Sequence, residues 1–131
     1  MKHADELRNL LANHTGSQEV YRHSLARGVC YTEGVRDFAK NAGGGAYWLL
    51  DILATEPTIL RLVREEGIAF ATLDSTGMTA KLTVAADSGI PPVFTRILDA
   101  TDCPAGEWMF YLSATEVGGK PVVMILLPSE Y

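Results

Sequence analysis

The sequence predicts an α+β domain in which N-terminal helices pack on a C-terminal antiparallel meander sheet of about five strands. Apolar residues before position 67 recur mostly at three-and-four spacing, and beyond it they alternate with a period of two. A chain of 131 residues leaves room for one hydrophobic core rather than two, so residues 1–131 read as a single domain. Hydrophobic residues make up 47% and charged residues 21%, the balance of a chain that folds alone rather than a disordered one.

Ala4, Leu7, Leu10 and Leu11 share one helical face, with Asp5 and Glu6 at the positive end of the helix dipole; this first helix should end within residues 13–16. Residues 19–31 carry Tyr21, Leu25, Val29 and Tyr31 around Gly28 and fit neither period for long. They read as extended chain with at most one short strand. Thr32 can cap a second helix, in which Val35, Phe38, Ala39 and Ala42 form an apolar stripe while Arg36, Asp37 and Lys40 face water. Gly43-Gly44-Gly45 ends it, marking a hinge or a close approach of backbone. A third helix starts at Ala46 and is apolar nearly all round through Leu53, which predicts burial. Thr55-Glu56-Pro57 restarts the chain as a fourth helix with Thr55 as its cap, Ile59, Leu60, Leu62 and Val63 on its inner side, and Gly67 at its end.

Residues 68–73 begin the sheet. Met78, Ala80, Leu82 and Val84 alternate with Thr79, Lys81 and Thr83, which predicts the first set in the core and the second in solvent. Further strands are expected at 93–98, after Pro91-Pro92 interrupts the ladder, and at 108–114 and 121–127. Asp74-Ser75-Thr76-Gly77, Asp87-Ser88-Gly89 and the pair Gly118-Gly119 supply turns. The run Val122-Val123-Met124-Ile125-Leu126-Leu127 has no polar alternation, so both faces should be covered. The third helix and the 19–31 segment could do this, or a second copy, making a homodimer through the Val122 to Leu127 region.

No apolar run approaches the roughly 20 residues of a membrane-spanning helix, and the acidic N-terminus lacks a secretory core; a cytoplasmic protein is expected. The net charge of −5 supplies no basic field for direct nucleic-acid binding, but it suits docking on a basic protein surface. Cys30 and Cys103 form no CxxC pair, and His3, His14 and His23 lack metal-ligand spacing, so neither a metal nor a cofactor is expected. GxSxG, GxGxxG and Walker-type elements are missing. Cys30 with His23 is the nearest approach to a nucleophile pair, and a buried cysteine is the simpler reading.

Tyr21, Arg22, His23, Tyr31, Tyr47, Trp48 and Asp51 are the candidate binding residues, because aromatic groups with arginine carry binding hot spots; the same residue types also build cores. Tyr47 and Trp48 cannot share a helix face, and Asp51, one turn on from Tyr47, needs a partner such as Arg22 or His23.

Tyr21-Arg22-His23, Arg27-Gly28-Val29, Tyr31-Thr32-Glu33-Gly34-Val35, the helix Ala46-Tyr47-Trp48-Leu49-Leu50-Asp51 and the ending Leu127-Pro128-Ser129-Glu130-Tyr131 resemble an uncharacterised family of small proteins met in bacterial genomes, plasmids and phages. That resemblance implies a shared fold and a mobile-element setting, and it transfers no catalytic residue. The leading expectation is a non-enzymatic protein-interaction module, accessory or anti-defence in role. The alternatives are a small enzyme or ligand-binding domain with a pocket between helices and sheet, and a structural homodimer. If His23, Asp51 and Tyr31 converge on a concave, solvent-reachable site, the enzyme or ligand-binding class gains; if they only pack, it loses.

Overall fold

Chain order places two short strands ahead of most of the helices. In the computed structural model, which describes residues 3–12, 19–87 and 89–131, helix α1 (Ala4–Ala12) is followed by β1 (Val20–Arg22) and β2 (Val29–Thr32). Helices α2 (Glu33–Asn41), α3 (Tyr47–Thr55) and α4 (Pro57–Glu66) come next. Strands β3 (Ile68–Ser75), β4 (Ala80–Ala85), β5 (Phe94–Leu98), β6 (Gly106–Val117) and β7 (Lys120–Leu126) complete the fold, with a 3-10 turn at Pro128–Glu130. His14, the 13–16 stretch expected to end the first helix, and Ser88 of the expected Asp87 turn lie outside the described residues.

The α+β expectation of N-terminal helices on a five-strand antiparallel meander is corrected by the topology. The sheet has seven strands in the order β1-β2-β7-β6-β3-β4-β5, and it is mixed, because β2 runs parallel to β7 while the other pairs are antiparallel. Two physical causes defeat the sequence pattern. Strands of three and four residues are too short to display alternation, so β1 and β2 were hidden in the 19–31 segment. The 12-residue β6, with Trp108, Phe110 and Leu112 buried, occupies the sheet interior beside β3 instead of following β5. Strand β5, mostly exposed and preceded by Pro91-Pro92, is left at the edge, where proline is tolerated.

The principal core lies between the helices and one sheet face. Leu7, Phe38, Leu50, Ile59, Leu82, Phe110 and Ile125 are all buried in it. Leu82 and Val84 point inward and Lys81 outward as predicted, but Met78 is 77% exposed. The strand begins only at Ala80; Met78 still belongs to the turn held by Thr76, whose Oγ1 accepts from the Met78 and Thr79 amides. Thr32 caps α2, accepting from the Val35 amide. The cap of α4 differs from expectation: Glu56 holds that position, and the Thr55 hydroxyl instead donates to the Asp51 carbonyl at 2.6 Å. Gly67 ends α4 with φ of 83°.

Strand β7 pairs on both sides within one chain, and so its apolar run requires no second copy. Ile125 faces the helices, while Met124 and Leu126 join Cys30, Tyr111 and Val122 in a smaller cluster on the opposite face. The glycine run is a close approach. Gly43, at φ of 57°, lies against the Asp102 backbone where a Cβ would collide, and the Gly44 amide donates to Asp102 Oδ2 at 2.7 Å.

Candidate functional site

His23 follows β1 in the sharp loop that leads to β2. Its Nδ1 accepts the Leu25 and Ala26 amides at 3.2 and 3.0 Å, and its backbone amide donates to the Val29 carbonyl. A nitrogen that accepts two N–H groups carries the lone pair, so the ring proton belongs to Nε2. That proton is donated to Asp51 Oδ1, 2.8 Å away on α3. The imidazole is 4% exposed and the Asp51 side chain 61%, so a buried ring anchors a surface carboxylate. Both expectations for Asp51 are met: it lies on Tyr47's side of the helix and finds His23 as its partner.

Around this pair, Arg22, His23, Ser24, Tyr31, Tyr47, Leu50 and Asp51 line a cleft of about 350 Å³. Tyr21 stacks on Tyr31 with ring centroids 5.8 Å apart, and its hydroxyl donates to Glu19 Oε2 at 2.7 Å. Arg36, which periodicity had assigned to water, lies over the Tyr21 ring at 4.6 Å and donates to its hydroxyl at 3.1 Å. The hydrogen bond to Glu19 holds the Tyr21 proton above the ordinary range, with burial adding to it. Burial, then the neighbouring Tyr47, raises Tyr31 as well, and Arg36 opposes the shift. Tyr21 and Tyr31 therefore stay neutral phenols near neutral pH, and Arg36, raised chiefly by Tyr21, stays a cation.

Two candidates do not line this cleft: Tyr21, which reaches it only through its stack on Tyr31, and Trp48. Trp48 lies on the other side of α3, half-buried, in a groove of about 520 Å³ with Ile52, Arg96, Leu98, Ala100 and Asp102. Asp51 lines both hollows. Among the described residues no group of three or more His, Cys, Asp or Glu side chains could hold a metal ion. Cys30 is buried in the far-side cluster with Met124 and Leu126, away from the hollow beside His23. No helix of the described residues is long and apolar enough to cross a membrane.

The resembling motifs meet in pairs. The tail's Glu130 Oε1 accepts from the Thr32 hydroxyl at 2.6 Å and the Leu127 amide at 2.9 Å, and Oε2 accepts from the Gly34 amide at 3.3 Å. A carboxylate thus sits on the positive end of α2. Glycine leaves room there: a Cβ would lie 2.6 Å from Leu127 Cδ1 and 2.8 Å from Glu130 Oε1, so a larger residue would have to push those side chains aside. Sequence reasoning missed Glu130; the acidic residue of a C-terminal motif gave no sign of which helix it would cap. A model of a family of unknown function matches residues 5–131. The chain belongs to that family, DUF6876. No curated protein and no solved structure matches the chain. The DUF6876 match spans nearly the whole chain, including the strand region that the quoted motifs leave uncovered.

Proposed function

We propose that this protein is a non-enzymatic interaction module that grips a basic group of a partner protein at Asp51. The observation that carries the reading is the His23–Asp51 pair: both ring nitrogens are committed within the fold, while most of the carboxylate stands in solvent. An imidazole whose lone pair is taken by two backbone amides is poorly placed as a general base, because accepting a proton there would break both contacts. Tyr31, Tyr47 and Arg22 around the carboxylate supply the aromatic area and polar handles typical of recognition surfaces. The net charge of −5 favours encounter with a basic surface. The resembling motifs suggest a mobile-element setting, in which an accessory or anti-defence role by occlusion of a partner in the cytoplasm suits a small acidic chain without a catalytic motif.

A small ligand in the cleft is the competing reading, and it gains from the convergence of His23, Tyr31 and Asp51 on one cleft of about 350 Å³, a volume within the range of small-molecule sites. Affinity capture from a lysate of the source organism, followed by mass spectrometry, tests the proposal. Wild type should retain a protein that Tyr47→Ala and Asp51→Asn both lose and that high salt releases. Identical capture by all three chains would contradict it, and co-purification of a small molecule with wild type alone would favour the competing reading.

A further inference from the structure

The groove on the far side of α3 borders the free edge of the sheet. Strand β5 ends the strand order, and no described strand pairs with its outer side. Its register with β4 pairs Phe94 with Val84, Arg96 with Leu82 and Leu98 with Ala80. The bonds from the Val93 amide to the Val84 carbonyl and from the Thr101 amide to the Met78 carbonyl show that alternate residues of β4 direct their backbone groups at β5. The amides of Phe94, Arg96 and Leu98 are therefore turned to β4, and those of Thr95 and Ile97 are turned outward. On the helix side of that edge, the Trp48–Leu98 groove of about 520 Å³ opens directly beside the row of outward-facing groups.

Charge narrows what could lie there. Asp51 and Asp102 line the groove with Arg96, and Arg96 is already turned toward Glu56 at 3.9 Å and the Phe94 ring at 5.7 Å. Carboxylates therefore outnumber the guanidinium, and Trp48, Ile52 and Leu98 supply apolar walls between them.

We propose that an extended segment of a partner protein adds to the sheet along β5, hydrogen-bonded to Thr95 and Ile97, with an apolar side chain in the Trp48 groove and a basic one directed at Asp51. This rests on the cleft reading above, of which it names the bound form: main-chain pairing supplies affinity, and alternate side chains in the groove supply selectivity. At the other edge, β1 offers only three residues.

The test pans a phage-displayed library of random peptides against the full chain and measures the enriched peptides by fluorescence anisotropy. Peptides carrying an apolar and a basic residue two positions apart should be enriched, because only alternate side chains of a strand share the groove face. Thr95→Pro should weaken their binding by about tenfold or more while leaving thermal stability unchanged, because it removes an outward N–H from an edge strand. In wild type, hydrogen exchange should show the Thr95 and Ile97 amides becoming protected on peptide addition, a readout that does not depend on how the proline variant folds. If Tyr47→Ala abolishes binding while the two amides stay unprotected, strand addition is wrong and the cleft reading stands. Protection of the two amides with Tyr47→Ala and Asp51→Asn both without effect would keep the strand pairing and overturn both the cleft reading and the basic contact at Asp51. Enrichment of no basic peptide would overturn both.

Discussion

His23 is the residue whose removal the structure makes most informative. Truncating it leaves the Leu25 and Ala26 amides without their acceptor and Asp51 without its donor. His23→Ala should therefore cost about 1 to 3 kcal/mol in a denaturant titration, the usual penalty for stranding partly buried polar groups. Asp51→Asn keeps an oxygen facing Nε2–H and should cost less than about 1 kcal/mol. Equal costs for the two would show that the ring's backbone contacts contribute nothing. Cys103 offers a second residue-scale test. It is buried, and desolvation first, then Asp102, pushes its thiol from 9.0 to about 11, with Ser75 opposing. The native state thus holds this proton where the unfolded chain has released it, so stability falls as pH rises from 9.0 to about 11. Tyr31 adds loss of the same sign at higher pH. Denaturant titrations at stepped alkaline pH should show a steeper fall for wild type than for Cys103→Ala, whatever their offset at neutral pH; parallel curves would refute the assignment.

At the scale of elements, the C-terminal tail acts as an external cap for α2. Glu130→Ala should lower stability by about 1 to 3 kcal/mol through loss of charge-assisted hydrogen bonds. Gly34→Ala should also lower the thermal midpoint, although alanine favours helix over glycine by about 1 kcal/mol, because the new Cβ meets Leu127 and Glu130. A raised midpoint for Gly34→Ala would mean that the tail is not seated there. Strand β7 gives a graded comparison. Ile125→Lys places a charge in the principal core, whereas Met124→Lys places one in the smaller cluster on the opposite face, so both destabilise and the first does so more. Wild-type stability for either, read by thermal melting, would contradict burial on both faces of the strand. The helices were legible because Thr32, Gly67 and the apolar stripes are local signals. The parallel β2–β7 pairing was not, since partners nearly a hundred residues apart leave no local pattern. Pro91-Pro92 did mark β5 as an edge, a signal that the meander reading left unused.

For the whole molecule, the binding candidates named from composition, Tyr21 apart, line two hollows that share the Asp51 wall of α3. Residue type and helix phase sufficed to narrow the partner of Asp51 to Arg22 or His23, of which the fold uses His23, and to separate Tyr47 from Trp48. They could not foresee Arg36 over Tyr21, because that contact depends on how β1 lies against α2. The proposed interaction rests on an acidic chain with an exposed, propped carboxylate between aromatic rims, to which a basic group would be drawn. Isothermal titration of the captured partner into wild type and Asp51→Asn, at low and raised salt, tests this most directly. The account predicts about a tenfold loss of affinity for Asp51→Asn, equivalent to roughly 1.4 kcal/mol, and a weaker salt dependence than wild type. Equal affinities and equal salt slopes would contradict it.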